Sequence, residues 1–429
     1  MKSAAISVAL RYLAIAIQFA VVIAVTNTLP LNIAGQYFSV FGVIAVTFTL
    51  SGIGIPDGCV KNLSEARVHQ DNDRLHALTL STLPVSMILN LGIGYIIGIG
   101  ATTFAHLDVE ARPIIALWWF GYAGTFLCAQ VLVGCGRPVI ATFFAYSSVN
   151  LAYVPTLLPA LVFLDSPDLI TIMTVAALAA NGAMAISALF AFRISQRLRI
   201  EAGNGRSVGI MHELYVSVKS GLPMMLSRFM QASLPWIPVW MLGYFNAVEA
   251  AAIYAAASRL TVAVTSVVAA LRFSMRGTLV EMNAAGRYRE IAALNRKVSL
   301  ISALPPLAGL IFLLLVGPQV VPLILGADYA PAVPVLIILM FGVFGEALGG
   351  ISDEILKMTG ATRIVLWSLF LAMLCQCTLG LLMAEHGAEL LAWGTATAFT
   401  LQYVWQTVWL SRKTKITIFP FLTPTREKP

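Results

Sequence analysis

The chain has 429 residues, of which 59% are hydrophobic and only 11% are charged, with a formal net charge of +7. A soluble domain carries roughly 25% charged residues, so this composition excludes a soluble enzyme, a disordered protein and a coiled coil. The apolar residues form continuous runs, which also excludes an outer-membrane barrel with its alternating strands. What remains is a polytopic helical membrane protein.

Apolar runs separated by charged residues, glycine and proline predict twelve membrane-spanning helices, each close to the roughly 20 residues that cross a bilayer. In chain order they cover residues 6–28, 36–57, 77–100, 113–134, 139–164, 169–192, 220–243, 248–271, 298–317, 331–350, 364–384 and 390–410. Proline removes a backbone donor and kinks a helix. Pro235 and Pro238 therefore predict a break in the seventh span. Pro305 and Pro306 predict another in the ninth.

The basic residues predict the orientation of the spans. If the N-terminus lies inside, nearly all of the 27 Lys and Arg fall in cytoplasmic segments, whereas the outside loops hold Arg112 and several acids. This distribution follows the positive-inside rule. We expect a multi-pass protein of the cell inner membrane with both termini in the cytoplasm. We expect no nucleic-acid partner, because the basic residues are spread over short loops.

The two halves of the chain share a weak pattern at an offset of about 220 residues. Tyr37 and Tyr254 begin the second and eighth helices, and Arg11 and Arg228 lie in the first and seventh. The pattern predicts two pseudo-symmetric six-helix lobes around a central cavity. The predicted N-terminal lobe is 1–205, the C-terminal lobe is 206–411, and 412–429 is a basic cytoplasmic tail. Such a plan suits a transporter and not an enzyme.

Five short motifs resemble those of a known transporter family. They are Ala34–Phe38, Ser51–Gly58, Glu249–Tyr254, Gly326–Ala332 and Ile355–Gly360. On these motifs the chain resembles, over nearly its whole length, the polysaccharide (O-antigen repeat-unit) flippases of the multidrug/oligosaccharidyl-lipid/polysaccharide exporter superfamily. The resemblance implies translocation of an undecaprenyl-pyrophosphate-linked oligosaccharide from the inner to the outer leaflet. The five cysteines form no CxxC pair, so we expect no metal site, and we expect no cofactor. A polysaccharide polymerase or ligase is then a candidate partner.

Ionisable residues inside spans cost about 2.5–3.5 kcal/mol and usually face protein or a wet cavity. Arg228, Arg259 and Arg11 are candidate substrate-binding residues, because a guanidinium stays charged when buried and binds phosphate oxygens bidentately. Glu346 and Asp57 are candidate ion-coupling residues. The alternatives are snorkelling or a structural ion pair for the arginines, and a counter-ion or interhelical hydrogen bond for Glu346. For Asp57 the alternative is a turn or helix cap.

Two other kinds of transporter and a membrane enzyme are the alternatives to the flippase. A multidrug exporter of the same superfamily favours cationic drugs and would need a carboxylate-lined cavity, whereas arginines outnumber acids within these spans. A peptidoglycan lipid-precursor flippase usually has two additional C-terminal helices. A membrane-embedded polymerase or sugar transferase generally carries a large outside loop or a catalytic acid cluster, and neither is apparent here. The sequence therefore favours the oligosaccharide flippase.

Overall fold

The computed structural model describes residues 2–164, 167–201, 210–275, 279, 282–283, 285–358 and 361–414, and all of its regular elements are helical. We number the α-helices in chain order: α1 Lys2–Thr28, α2 Leu31–Thr47, α3 Ile55–Val68, α4 Asn72–Ala105, α5 Arg112–Gly134, α6 Pro138–Thr142, α7 Ser148–Tyr153, α8 Leu157–Phe163, α9 Leu169–Glu201, α10 Ile210–Ser233, α11 Ile237–Tyr244, α12 Val248–Ser274, α13 Tyr288–Leu325, α14 Ala332–Leu348, α15 Ser352–Met358, α16 Thr362–Met383 and α17 Ala388–Thr414.

Within these described residues, nine helical segments are long and apolar enough to cross a membrane. They coincide with predicted spans one to six, eight, nine and eleven. The tenth predicted span is α14, a shorter apolar helix of 17 residues, and the twelfth is α17. The chain is therefore a multi-pass, all-α integral membrane protein, as the sequence predicts.

The predicted breaks have different outcomes. The seventh span is interrupted as predicted: α10 ends at Ser233, and α11 begins at Ile237 with a proline in its first turn. The break predicted at Pro305 and Pro306 is wrong, because α13 continues as one helix of 38 residues through both. Each proline removes only one backbone hydrogen bond, and the remaining bonds of so long a helix maintain it.

The second predicted span, 36–57, is not one helix. It begins earlier, at Leu31, directly after Pro30, and α2 ends at Thr47. A 3-10 segment, Phe48–Gly54, follows and contains non-helical residues, after which α3 starts at Ile55. The apolar run continues through this break, so hydropathy alone could not locate it.

The chain divides into two compact units, 1–232 and 233–429. In the first unit α5 packs against α3, α4 and α9, and in the second α14 packs against α12, α13 and α17. Helix α10, which the sequence assigns to the second lobe, belongs to the first unit. The lobe boundary predicted at 205/206 lies outside the described residues, and the tail 412–429 is described only to residue 414. Both therefore stay predictions.

Candidate functional site

The break between α2 and α3 is built from backbone conformations that a helix does not allow. Gly52 and Ile53 have φ of 57° and 51°, and Gly54 has φ of 79°. A positive φ is ordinary for glycine, but it is strained for the β-branched Ile53. Such strain persists only where the surroundings impose it, and it is commonly found at functional sites.

Asn90 of α4 satisfies the backbone that this break exposes. The Gly52 N–H donates to Asn90 Oδ1 at 2.8 Å, and Asn90 Nδ2 donates to Ser51 Oγ at 2.9 Å. Ser51 Oγ in turn donates to the carbonyl of Ala123 in α5 at 3.1 Å. Because a membrane interior offers no water, a broken helix must find such partners within the protein.

We expect Asn90→Ala to destabilise the fold by about 1–3 kcal/mol, because it leaves the buried Gly52 N–H without a partner. The melting temperature of the purified protein in detergent measures this effect. Thr103→Ala is a suitable control, since that hydroxyl is exposed and bonds only the Ile99 carbonyl of its own helix. Equal melting temperatures for both variants would show that Asn90 does not hold the break.

The break places Asp57 in the first turn of α3, where it meets Arg228 of α10. Arg228 Nη2 lies 2.6 Å from Asp57 Oδ1, and the side chains are 34% and 2% exposed, respectively. Gln130 of α5 donates to the same carboxylate oxygen at 2.9 Å. The guanidinium carbon of Arg228 lies 4.8 Å from the ring centroid of Phe126. The arrangement is a buried carboxylate holding a partly accessible arginine.

The second terminal nitrogen of Arg228 makes no hydrogen bond among the described residues. This atom, Nη1, is also buried. A buried unsatisfied donor is costly, and more so on a charged group. An anion reaching Arg228 would therefore find a donor already desolvated and oriented.

Helices α3 and α10 approach closely beside this pair, and we call their contact the α3–α10 seam. A Cβ built on Gly58 would collide with the backbone of Ser217, and one built on Gly221 would collide with the backbone of Gly54. Small residues four apart allow such close backbone approach in membranes. Asn62 Nδ2 also donates to Ser217 Oγ at 2.7 Å. The seam thus joins backbones directly, with few intervening side chains.

An ion pair at the start of α4 lies at the other end of α10. Arg74 donates to Glu213 through Nε at 2.9 Å and through Nη2 at 2.8 Å. The side chains are 26% and 14% exposed. A two-point guanidinium–carboxylate bond is specific in geometry, and it ties the N-terminal part of α10 to this unit.

All three candidate substrate arginines lie on aromatic rings. Besides Arg228 on Phe126, the guanidinium carbon of Arg11 is 4.4 Å from the Tyr146 ring centroid, and that of Arg259 is 4.0 Å from the Trp236 ring centroid. Arg11 is exposed and also donates to the Tyr146 hydroxyl at 3.3 Å, whereas Arg259 is half-buried. An aromatic face attracts a cation and leaves the edge donors of the guanidinium available.

Of the two candidate acids, Glu346 lies in the second unit and is half-buried. Its Oε1 accepts a hydrogen bond from the Tyr403 hydroxyl of α17 at 3.0 Å. Arg259 and Trp236 also lie in this unit. Asp57 belongs to the first unit with Arg228 and Arg11. Of the five candidate site residues, Asp57 and Arg228 are the two that the structure places in direct contact.

Sequence reasoning did not identify Gln130, Phe126, Tyr146 or Trp236 as parts of these sites. Trp236 carried a usable signal, because it stands between two prolines at the break where α10 ends. Phe126 and Gln130 lie in an apolar helix rich in similar residues. Nothing in their spacing distinguishes them.

No protein-family model and no curated protein sequence matches the chain. Solved structures do. An inward-facing multidrug resistance MATE family transporter of the MOP superfamily aligns with a TM-score of 0.65 and 16% identity, over 93% of this chain and 94% of that one. A mutant of the Vibrio cholerae MATE transporter VcmN aligns with a TM-score of 0.64 and 15% identity, over 96% and 95%. The lipid II flippase MurJ in an inward closed conformation aligns with a TM-score of 0.68 and 11% identity, over 95% and 87%.

At these identities the likeness concerns the fold. The aligned proteins are transporters, and the alignments span nearly the whole of this chain. The chain therefore has the fold that these MATE transporters and the lipid II flippase MurJ share.

Proposed function

We propose that the chain is a flippase for an undecaprenyl-pyrophosphate-linked oligosaccharide repeat unit. It moves this lipid from the inner to the outer leaflet of the bacterial cytoplasmic membrane by alternating access. The prenyl tail stays in the bilayer, while the sugars and the pyrophosphate pass through protein. A polysaccharide polymerase or ligase would then act on the delivered product.

The observation that carries this proposal is the set of arginines backed by aromatic rings. Sugars and pyrophosphate cannot cross hydrocarbon unaided, since their polar groups would lose water without replacement. Arg228, Arg259 and Arg11 supply permanent cations in or near spans, each held against a ring. A held guanidinium loses less entropy on binding and matches two phosphate oxygens at once.

The runner-up is a multidrug exporter, supported by the likeness to MATE transporters. A cationic drug requires an available carboxylate. Asp57 is neutralised by Arg228, and Glu346 already accepts a bond from Tyr403. The arrangement favours an anionic substrate. The likeness to MurJ supports a lipid-linked one.

The proposal is tested by measuring how fast the oligosaccharide lipid appears in the opposite leaflet of proteoliposomes that contain the protein. We expect Arg259→Ala to lower the initial rate about ten- to hundredfold, the effect of losing a charge-assisted bond of about 1.5–3 kcal/mol. Arg259→Lys keeps the charge but loses the fork, and should retain an intermediate rate. Arg112→Gln is the matched control, an arginine that donates to Thr102 at the start of α5 and has no proposed substrate role.

Three substrates separate the candidate functions in this assay. A pyrophosphate-linked oligosaccharide should be flipped, a peptidoglycan lipid precursor should be flipped more slowly, and a cationic drug should not be moved. Drug movement without lipid transport would establish the exporter instead. Lipid transport at the wild-type rate by Arg259→Ala would keep the function but exclude that arginine from the site.

Ion coupling by Glu346 or Asp57 is part of the same proposal. If Glu346 carries the coupling proton, a proton gradient should speed transport by wild type and should have no effect on Glu346→Gln. The folded state of this variant is checked by its melting temperature, because the change also weakens the acceptor of the Tyr403 hydrogen bond. Equal stimulation of both proteins by the gradient would assign Glu346 to structure.

A further inference from the structure

Asp57 occupies the position on Arg228 that a substrate phosphate would need. The carboxylate takes Nη2 at 2.6 Å, while Nη1 is buried without a partner among the described residues. We infer that an incoming pyrophosphate displaces Asp57 from Arg228, and that this exchange opens the α3–α10 seam. The inference rests on the proposed function, from which it takes the anion.

The exchange is favoured by the geometry of Arg228. Its side chain is 34% exposed and therefore reachable, whereas that of Asp57 is 2% exposed. Phe126 keeps the guanidinium in place as its partner changes. A pyrophosphate carries more charge than a carboxylate and can present oxygens to both terminal nitrogens. Because Nη1 is buried in the closed arrangement, the anion first takes Nη2 and reaches Nη1 as the helices part, which satisfies the donor that Asp57 leaves unsatisfied.

The exchange acts on the seam because the ion pair joins its two helices. Asp57 stands between Gly54 and Gly58, which form the α3 side of the seam, and Arg228 is on α10. Once Arg228 has bound the anion in place of the carboxylate, Asp57 remains buried with Gln130 as its hydrogen-bond donor. A buried charge without its counter-ion strongly destabilises the closed arrangement. Separation of the helices admits water to the carboxylate and removes this penalty.

The seam is suited to separation. It contains the Asn62–Ser217 hydrogen bond, and beside it the Arg74–Glu213 ion pair joins α10 to α4. Water can replace both contacts when α10 moves. Helix α10 also contains Pro223, two residues beyond Gly221, where a missing backbone bond lets the helix bend. Its N-terminal half can therefore tilt away from α3 without unfolding.

Accessibility of position 217 measures the opening. Ser217 is fully buried, so Ser217→Cys in a nanodisc should react slowly with a water-soluble maleimide above the background of the five native cysteines. We expect inorganic pyrophosphate to speed this reaction about tenfold, as for a shift of about 1.4 kcal/mol in the closed-to-open equilibrium. Thr103→Cys, at an exposed position near the C-terminal end of α4, is the control. It should react at the same rate with and without pyrophosphate.

Two further variants test whether the unpaired Asp57 charge causes the seam to open. With Asp57→Asn no charge is left behind, so pyrophosphate should still bind but should no longer speed labelling of Ser217→Cys. With Asp57→Asn and Arg228→Gln together, binding itself should be lost. Calorimetric titration of pyrophosphate into the same nanodiscs follows binding separately.

The outcomes distinguish the inference from the proposed function. Binding that depends on Arg228, with no change in Ser217→Cys labelling, would overturn the exchange mechanism and leave the anion site standing. Pyrophosphate-dependent labelling that persists in Asp57→Asn would also overturn it, because the carboxylate would then not be the cause. Absence of any Arg228-dependent binding would overturn both the exchange mechanism and the anion site at Arg228, whereas the proposed function is judged by the lipid-transport assay.

Discussion

Arg228→Gln is expected to lower the free energy of unfolding by about 3–5 kcal/mol, because it strands a buried carboxylate. Asp57 is 2% exposed and would keep Gln130 as its neutral donor. The melting temperature in detergent, together with the yield of monodisperse protein, measures this loss. Arg112→Gln, which removes a guanidinium outside the buried pair, should melt close to the wild type.

The second half of this prediction is a rescue. Replacing both partners, with Asp57→Asn and Arg228→Gln, removes the two charges together and should recover most of the lost stability, since a buried pair contributes little net energy. A double-mutant cycle gives the coupling between the two residues. Independent, additive effects would mean that the ion pair does not hold α3 against α10. Because the rescued protein folds without the cation, it is also the proper protein in which to assay loss of transport.

Gly58→Ala is expected to be nearly as damaging. The added Cβ would lie against the carbonyl of Ser217 and 2.7 Å from its Cα, closer than real Cβ atoms come. Backbone atoms cannot rotate away as a side chain can. The helices must separate, at an expected cost of about 3 kcal/mol in melting experiments.

Gly92→Ala is the matched control for this change. It lies in α4, and a Cβ there meets nothing within 4 Å among the described atoms. An alanine in that helical position should be neutral or should stabilise by about 0.4–1 kcal/mol. If Gly58→Ala melted like Gly92→Ala, the close approach of α3 and α10 would be refuted.

Hydropathy predicts most of this fold, because each span must be apolar over the thickness of the bilayer regardless of its neighbours. Proline chemistry also located the break at Pro235. The break at Gly52 and Gly54 was missed, since glycines are common in membrane helices and these two interrupt no apolar run. What makes them a break is the Asn90 side chain from another helix, and helical periodicity contains no information about it.

The candidate site also has parts that the sequence predicts and parts that only the structure shows. Arg228, Arg259 and Asp57 could be selected from the sequence because charge inside a span is expensive. The pairing of Asp57 with Arg228 could not, because the two residues are far apart in the chain and equally compatible with other partners. The rings beneath the arginines are likewise tertiary contacts. Sequence identified the charged atoms, and only the packing shows which of them are neutralised.

The seam also bears on the order in which the protein is made. Ser217 follows Asn62 by 155 residues, so at about 5–20 residues per second a ribosome needs roughly 8–30 s to deliver the partner of α3. During that interval Arg228, which follows Ser217 in the chain, has not yet been made and cannot pair with Asp57. The Asp57 carboxylate is then best hydrated at the membrane surface. We expect the interruption at Gly52 and Gly54 to let α2 enter the bilayer while α3 stays at the interface. We therefore expect the break that shapes the finished site also to let insertion of the nascent chain pause between α2 and α3.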